Sequence, residues 1–555
     1  MMDSILFWNA VALEANRVSH TDPDKREQNG PTLSSRALAI VHLAMYDAYA
    51  GIIGGLGFPR YLNPPPAPVG TSAKDAVAGA AYRTLIGLYP AQKEYFDAQL
   101  SCFDTSNPSF DFGQTVGKTL LGDRGNDMDN RSCGYRFSRN RGRHRVDPDN
   151  PGQGFDSPYY GAQNRGFAIS VRHTNSPPPF SNGVAPKYLQ ALAQVRAKGI
   201  RPNLTGTLPD PLFAKRRNSL ETAIGVYWSY DGSARLGTPP RFYNQIVRSV
   251  AMAQGNNEGQ NARLFAFLNA AMGDAGILAW EQKYCHDFWR PVLGIREHDE
   301  RLGPDAPYLG VLANFTDGDT QWLPFGAQST NQPTVKNFTP NFPSYPSGHA
   351  TFGAAALHIT RMFYGIPAND KNDDFLAPGF VVSDELNGGN RDNDGTVRPR
   401  WARNFPDGLW EMIIDNATSR VDLGVHWIFD AFDFTQNANG DLVPDLTNEN
   451  IGGVGLGLRI ARDIFAFGGG LAPKMTPAGT APPPITTPAS NTPLPVFPKQ
   501  PATVGGCADT VNLGGKASDS DDKEPVTQDF PTGASEDDEP PTGNQDAYPS
   551  GLSKK

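Results

Sequence analysis

Two cationic residues, Lys283 and Arg290, stand seven positions apart in a stretch that ends in Pro291. Seven residues make two turns of an α-helix, so a helix through this stretch would project both side chains from one face. Pro291 would then end that helix directly after the arginine. Such a face can bind an anion, although a Lys and an Arg at this spacing are by themselves more typical of a solvated helix surface.

A second stretch, residues 342–352, combines a hydroxyl, a glycine and a histidine at the expected start of a helix. Ser347 is predicted to be the N-cap, and Gly348 allows a ligand to approach the free backbone N–H groups that follow. His349 adds a group that can titrate near neutral pH. Taken alone, this pattern is more typical of an ordinary helix cap. The apolar stripe that indicates the helix consists of Phe352, Ala356, Ile359 and Phe363.

A third stretch, residues 417–430, places Arg420 six positions before His426. Six residues turn an α-helix by about 600°, which leaves the two side chains about 120° apart on a straight helix. Gly424 lies between them and can break the helix, which would let both side chains converge on one point.

The three stretches together supply the parts of a cage for a tetrahedral oxyanion. Three cations, a serine hydroxyl and a glycine N–H can neutralise a charge of about −2 to −3, and arginine forks match paired oxygens. Of the two histidines, one can bond to the central atom while the other moves protons. The same array stabilises a trigonal-bipyramidal species, so vanadate and a phosphoryl transition state would both fit it.

The three motifs, Lys-x6-Arg-Pro, Pro-Ser-Gly-His and Ser-Arg-x5-His-x3-Asp, occur in the order that is typical of one superfamily. They resemble the signature shared by vanadium-dependent haloperoxidases and the acid phosphatases that bind phosphate in the same cage. The chloroperoxidase type is favoured, because further stretches resemble fungal vanadium chloroperoxidases. These are residues 5–9, 13–20, 227–232, 237–245 and 385–388.

The resemblance implies vanadate as the cofactor and a role for each residue of the cage. His426 would be the ligand bonded to vanadium, and His349 the acid–base group that helps hydrogen peroxide enter. Asp231 would pair with Arg420 and fix its fork, and Lys283 would polarise the bound peroxide. The residues that would hold the vanadate oxygens are Lys283, Arg290, Ser347, Gly348 and Arg420.

The halide pocket is expected to be apolar, with Trp280 and Phe342 in its wall. Algal bromoperoxidases resemble this pattern but carry a histidine at the position of Phe342, which favours a chloroperoxidase here. Two neighbours depart from the fungal pattern: Asn341 replaces a proline and Ser344 replaces an alanine. Both adjoin the expected pocket, so the choice between chloride and bromide stays open.

The function implied by the resemblance is oxidation of halide to hypohalous acid by hydrogen peroxide, followed by halogenation of a small organic acceptor. One alternative is an acid phosphatase with His426 as phosphoryl acceptor and His349 as proton donor, because its motifs are satisfied equally and phosphate can occupy the site. A second alternative is a non-catalytic anion-binding or scaffold protein whose acidic tail recruits partners.

Helical periodicity dominates the first 470 residues, whereas alternating β-branched runs are scarce. The predicted fold is all-α, with two packed helical bundles and long Pro/Gly-rich loops, including an ordered loop over residues 131–186. We expect an N-terminal half at 1–260, a C-terminal half carrying the site at 261–470, and a disordered acidic, Pro-rich tail at 471–555. The predicted helices are 35–50, 73–88, 188–197, 241–253, 262–280, 349–364, 408–423 and 453–467.

The net charge of the 555 residues is −9, which argues against nucleic-acid and anionic-membrane partners. Residues 471–555 carry a net charge of −5 and residues 1–470 a net charge of −4, so a local cationic cage is compatible with an acidic protein. No uninterrupted apolar run reaches the ~18 residues of a membrane helix. With no visible signal peptide, the protein is predicted to be soluble, and a secreted or periplasmic location rests on family analogy. The sequence leaves cysteine pairing and oligomeric state open.

Overall fold

The computed structural model describes residues 3–54, 58–62, 64–68, 72–132, 134–299, 302–304 and 318–466. The helices are α1 Ser4–Ser19, α2 Gly30–Ile53, α3 Ala73–Leu88, α4 Lys93–Gln99, α5 Pro108–Asp123, α6 Tyr160–Gln163, α7 Pro186–Lys198, α8 Asp210–Phe213, α9 Ser219–Tyr227, α10 Pro239–Ala253, α11 Glu258–His286, α12 Pro291–Arg296, α13 Gly348–Phe363, α14 Gly408–Asp422, α15 Ile428–Ala431 and α16 Gly452–Phe465. The strands are β1 Phe380–Val382, β2 Ala402–Asn404, β3 Phe434–Gln436 and β4 Leu442–Pro444.

The mostly helical fold predicted from the sequence is confirmed. Each of the eight predicted helices is present, and α3 has the predicted bounds. The strands form two small antiparallel ribbons, in which Val381 is opposite Arg403 and Thr435 is opposite Val443. The periodicity missed several helices, and α1, α5 and α9 are the longer ones among them.

The longest helix, α11, lies at the centre of the fold. Asn257 and Gln260 form a capping box at its start, and nearly all of its residues are buried, as expected for a helix with neighbours on every side. It packs against α2, which belongs to a group with α3 and α5, and against α13, which also packs on α14 and α16. The second half of α11 therefore presents its side chains to the elements that carry the predicted motifs.

The described residues belong to one compact unit, Met1–Thr510. A division at residue 260 stays a prediction, and in the structure α11 begins at Glu258 and contacts helices on both sides of that position. The predicted tail at 471–555 lies outside the described residues.

The predicted long loop is ordered and fixed to α11. Apart from α6 and a short turn, its described residues are irregular. The carboxylate of Asp274 accepts hydrogen bonds from three successive backbone N–H groups of the loop, those of residues 167–169, at 2.5, 2.8 and 2.9 Å. Arg172 forms a fully buried ion pair with Glu281 at 2.7 Å. Both anchors hold the loop against the part of α11 that leads to Lys283.

Two helices of the described residues, α2 and α11, are long and apolar enough to cross a membrane by length and composition alone. Polar interruptions such as His42 hide this in a search for uninterrupted apolar runs. Most of each helix is buried inside the fold, which is the property of core helices.

Candidate active site

Lys283 and Arg290 do not share a helix, so this part of the sequence prediction was wrong. Helix α11 ends at His286, because Asp287 adopts the left-handed conformation with φ 50°. Arg290 is the N-cap of α12 instead. The chain leaves the helix to pair with the long loop: the Trp289 N–H donates to the Gly142 carbonyl at 3.0 Å. Tertiary pairing thus overrides the helical spacing.

The ammonium group of Lys283 is fully buried and donates to three backbone carbonyls. These belong to Pro343, Ser344 and Pro346, at 3.0, 3.0 and 2.5 Å. An ammonium has three N–H donors, so each one has a protein acceptor. Burial lowers the pKa of Lys283 well below its usual value, and the nearby charge of Arg290 lowers this pKa further. Lys283 fixes the loop before α13 and places its charge behind the cage.

Arg290 connects the three predicted stretches. Its Nε donates to the Phe342 carbonyl at 3.0 Å, and its Nη1 donates to the Val425 carbonyl at 2.8 Å. The same Nη1 lies 2.9 Å from Nε2 of His426. Its Nη2 is buried and has no hydrogen-bond partner among the described residues.

Ser347 is the N-cap of α13, as predicted. Its Oγ accepts from the Ala350 N–H at 3.4 Å, and its own N–H donates to the Asp430 carbonyl at 2.8 Å. Gly348 follows as the first helical residue. A Cβ added to Gly348 would lie 3.5 Å from Trp280 and 3.9 Å from Lys283, which are ordinary contact distances. Protein packing therefore does not require glycine at this position, where the chain lines a cavity.

The pairing of Arg420 with Asp231 is present in the structure. Nη2 of Arg420 donates to both carboxylate oxygens of Asp231, at 2.9 and 3.0 Å. The Arg420 side chain is almost completely buried. Its Nε and Nη1 have no hydrogen-bond partner in the described part of the chain. Asp231 thus holds one edge of the guanidinium group and leaves the other donors free.

The predicted break at Gly424 is confirmed. Helix α14 ends at Asp422, and Gly424 has φ +73°. A Cβ there would lie 2.3 Å from the Gly199 carbonyl oxygen, so only glycine fits the close approach. His426 consequently lies beyond the helix, with its ring beside Arg290.

The ring of His426 is held by a carboxylate on the side away from Arg290. Its Nδ1 lies 2.8 Å from Oδ2 of Asp430, and that oxygen also accepts from the Trp427 N–H at 3.0 Å and from the Ser344 hydroxyl. Arginine can only donate, so Nε2 of His426 is the acceptor and Nδ1 carries the proton. Burial, and then the charge of Arg290, lower the pKa of His426, which keeps the ring neutral.

His349 lies at the cavity with one ring nitrogen already bonded. Its Nε2 is 2.7 Å from the Ser229 carbonyl, which can only accept, so Nε2 carries the proton. Burial, followed by the charge of Arg420, lowers the pKa of His349 to about 3. The neutral ring therefore presents Nδ1 as a proton acceptor.

A cavity of about 170 Å³ adjoins these groups. The rings of Trp280 and Phe342 meet in its wall with centroids 4.7 Å apart. Lys283 and Arg290 lie over the Phe342 ring at 5.1 and 5.0 Å and are not among the residues that line the cavity. The predicted site residues that line the cavity are Asp231, Trp280, Phe342, Gly348, His349, Arg420 and His426.

The unpartnered donors fit an oxyanion. Three guanidinium nitrogens, Nη2 of Arg290 and both Nε and Nη1 of Arg420, are buried without a protein acceptor in the described residues. Leaving such donors unpaired is costly, so a bound anion explains them. The same part of the chain contains no cluster of three His, Cys, Asp or Glu residues that could hold a bare metal ion. A site with one histidine nitrogen that can bond to the metal, and with guanidinium N–H groups that can bind its oxygens, suits vanadate.

Asp430 and Ser344 are the site residues that the sequence analysis missed. Asp430 closes the motif Ser-Arg-x5-His-x3-Asp, so its spacing from His426 was the available signal. Ser344 appeared only as a departure from the fungal pattern, and a hydroxyl in a loop gives no sign that it will contact a buried carboxylate.

Comparisons with known proteins agree with this geometry. Residues 2–157 match the family model of the vanadium chloroperoxidase N-terminal domain, and residues 263–439 match that of the VCPO second helical-bundle domain. The vanadium chloroperoxidase of Curvularia inaequalis is 34% identical over 596 aligned residues, covering 87% of this chain and 92% of that protein.

Two solved bacterial structures share the fold at 16% identity. A vanadium-dependent iodoperoxidase has a TM-score of 0.55 and covers 82% of this chain and 96% of its own. A holo-type vanadium-dependent chloroperoxidase has a TM-score of 0.55 and covers 81% and 95%.

The fold and these matches define a vanadium haloperoxidase. The chain belongs to the vanadium chloroperoxidase family. It is accordingly a peroxidase with vanadate as its cofactor, and haloperoxidase activity implies hydrogen peroxide and a halide as substrates. The comparisons give the acid phosphatase alternative no better support.

Proposed function

We propose that the cage described above binds vanadate and that the enzyme oxidises chloride and bromide to hypohalous acid. The observation that carries this proposal is the set of buried, unpartnered N–H groups of Arg290 and Arg420 beside the acceptor nitrogen of His426. Guanidinium groups bind oxyanions through paired N–H donors, and a buried site strengthens such bonds. When bound, vanadate supplies a Lewis acid that activates hydrogen peroxide for attack by a halide.

His426 would bond to vanadium through Nε2. The lone pair of this atom accepts from Arg290 in the structure, so vanadium would replace that hydrogen bond, and the Nδ1–H bond to Asp430 fixes both the tautomer and the ring orientation. Arg290, Arg420 and the Gly348 N–H would hold oxygens of the cofactor, together with the Ser347 hydroxyl. Lys283 would contribute its charge, and it can donate directly only by exchanging one of its three carbonyl partners.

His349 would move the protons of the reaction. Its Nδ1 is the acceptor of a neutral ring, so it can take a proton from entering hydrogen peroxide and return it to the departing oxygen. Burial is the main cause of this low pKa, and the charges of Arg420 and Lys283 lower it further; a bound anion would offset these two charges and so raise the pKa. Asp231 would act on the cofactor only through Arg420.

Chloride competence is supported by the apolar wall. The aromatic pair of Trp280 and Phe342 offers a halide a site with little competing water, and the curated relative is named a chloroperoxidase. Asn341 also lines the cavity, whereas Ser344 contacts Asp430 behind it. The two departures from the fungal pattern thus bear on different parts of the site.

The remaining partners follow from charge and from the size of the cavity. A cavity of about 170 Å³ admits peroxide and halide, so we propose that a small organic acceptor is halogenated by released hypohalous acid. The acidic net charge supports the absence of nucleic-acid and membrane partners. The burial of α2 and α11 supports a soluble protein, and a secreted or periplasmic location remains a family analogy.

The test is to load the protein with vanadate, measure its vanadium content, and follow oxidation of chloride, bromide and iodide by hydrogen peroxide. Hydrolysis of an aryl phosphate by the vanadate-free protein is measured in parallel. We expect halide oxidation that depends on vanadium and is lost in His426→Ala. A vanadium-loaded protein that oxidises no halide but hydrolyses the phosphate ester would instead support the phosphatase alternative.

A further inference from the structure

The active-site cavity contains one carboxyl group that the proposed mechanism does not use. Asp156 lies in the long loop, and its N–H donates to the Asn341 carbonyl at 3.0 Å, next to Phe342 in the chain. Its own carbonyl accepts from the hydroxyl of Tyr284 on α11. The Asp156 side chain lines the same cavity as Trp280 and Phe342. Backbone bonds therefore fix this carboxyl group beside the expected halide pocket.

In the described part of the chain the carboxyl group of Asp156 forms no ion pair, and its Oδ2 is buried without a hydrogen-bond partner. A Cβ added to Gly30 would lie 3.8 Å from this oxygen, so the start of α2 leaves it uncrowded. Burial raises the pKa of Asp156 to about 6, and a hydrogen bond from Ser157 opposes this shift.

Among the described residues, no group that faces Asp156 forms an ion pair with its carboxyl group. From α11 the facing group is Tyr284, whose pKa is raised well above its usual value by burial, so it stays neutral. The start of α2 and the stretch before α13 contribute only uncharged residues to this part of the wall. The charged or titratable groups elsewhere in the cavity wall are Tyr230, Asp231, His349, Arg420 and His426. Burial raises the pKa of Tyr230 well above its usual value, so this residue stays neutral, and Asp231 is paired with Arg420.

We propose that Asp156 controls access of halide to the pocket formed by Trp280 and Phe342. In its neutral form the carboxylic acid has an O–H donor for an anion, whereas its ionised form places a negative charge against the halide in a poorly screened cavity. The inference rests on the proposed haloperoxidase function and adds a residue that makes the access of halide depend on pH.

The first measurement is the KM for bromide of vanadate-loaded enzyme between pH 5 and pH 8. If only the neutral form admits bromide and the group titrates near pH 6, about one tenth of the enzyme is competent at pH 7, which raises the apparent KM about tenfold. Asp156→Asn cannot ionise. We expect its KM to equal that of wild type at pH 5 and to be about tenfold lower at pH 7, with kcat at saturating bromide unchanged.

Two variants separate this effect from a structural one. Asp156→Glu retains an ionisable group and should retain a pH-dependent KM. Asp149→Asn changes a carboxylate of the same loop that is bonded to Arg201 and Lys336 away from the cavity, and it should leave the KM profile unchanged. A KM for Asp156→Asn that follows wild type at every pH overturns the inference.

A second measurement does not depend on turnover. Bromide quenching of tryptophan emission is titrated in vanadate-loaded protein without peroxide, and the contribution of Trp280 is isolated with Trp280→Phe. We expect the Trp280 signal to require about tenfold more bromide at pH 7 than at pH 5 in wild type, but not in Asp156→Asn. Quenching that is independent of pH in wild type contradicts the inference. If vanadium-loaded wild type oxidises no halide, the proposed function fails, and this titration still decides the role of Asp156.

Discussion

Nδ1 of His426 lies 2.8 Å from Oδ2 of Asp430, while Nε2 of the same ring lies 2.9 Å from Nη1 of Arg290. The carboxylate and the arginine thus hold the ring from opposite edges and impose one tautomer. The nitrogen that faces the cage is therefore unprotonated, and its lone pair accepts from Arg290 until a ligand replaces that hydrogen bond. Preorganisation of this kind reduces the free energy that binding must spend on orienting the ligand.

Asp430→Asn is expected to weaken vanadate binding by about 10- to 100-fold, the usual cost of removing a carboxylate that supports a metal-bound histidine. The amide is neutral, so it no longer favours the Nδ1–H tautomer of His426 or raises the basicity of Nε2. The measurement is the dissociation constant from a titration of vanadate-free protein with vanadate.

Asp433→Asn is the matched control, because Asp433 lies on the same segment but bonds to Lys187 and Asn448 away from the cage. It should leave vanadate affinity unchanged even where it alters stability. Equal affinities for wild type and Asp430→Asn would show that Asp430 only fixes the chain.

Gly348→Ala is expected to separate ligand binding from folding. The new methyl group meets Trp280 and Lys283 at ordinary contact distances, so we expect the melting temperature to change by no more than about 2 °C. It also projects where the cofactor would approach the start of α13, so vanadate binding should weaken by about tenfold, or about 1.4 kcal/mol. Thermal unfolding of the vanadate-free protein and a vanadate titration check the two parts.

Gly353→Ala provides the contrast five residues further along α13. A Cβ there would lie 2.4 Å from Nδ2 of Asn416, whose amide is bonded to the His349 carbonyl. This variant should lose stability. A Gly348→Ala protein that is destabilised as much as Gly353→Ala would mean that glycine serves packing at both positions.

Local rules predicted those parts of the site that depend on neighbouring residues. Ser347 caps α13 because a hydroxyl before a helical stripe satisfies the first free N–H groups, and Gly424 breaks α14 because its φ is positive. The mostly helical fold followed from periodicity for the same reason. The type and order of the motif residues were sufficient to identify the cage before any contact between them was known.

Contacts between distant segments decided the rest. Arg290 leaves the helix of Lys283 because residues 287–289 pair with the loop around Gly142, and no pattern near Arg290 encodes that partner. Lys283 meets three carbonyls of a chain segment about 60 residues away. The bond from Ser344 to Asp430 is likewise non-local.

Asp274→Ala is expected to detach the long loop from α11. The buried carboxylate has three backbone N–H partners, at residues 167–169, and each loses its acceptor in the variant. We expect a loss of roughly 3 to 5 kcal/mol in the free energy of unfolding. Hydrogen exchange should show faster exchange at these three amides. Unchanged protection there would mean that the ion pair of Arg172 with Glu281 holds the loop alone.

Asp422→Asn is expected to change the dependence of stability on pH. Asp422 is the last residue of α14, and burial raises its pKa to about 8, although Lys198 opposes this shift. Between about pH 4 and pH 8 the folded protein therefore keeps a proton that the unfolded chain has lost, so this residue makes stability fall as pH rises. The asparagine cannot ionise and removes that contribution.

The free energy of unfolding is measured by denaturant titration of wild type and Asp422→Asn at pH 5, 6, 7 and 8. For each unit by which the pH rises, the free energy of unfolding of the variant should increase relative to that of wild type by up to about 1.4 kcal/mol. Asp445→Asn is the control, because hydrogen bonds from Thr447 lower the pKa of Asp445 and the group is ionised in both states over this range. Its difference from wild type should be constant with pH. A constant difference for Asp422→Asn as well would mean that Asp422 is ionised in the folded protein throughout, with Lys198 and Arg217 compensating its burial.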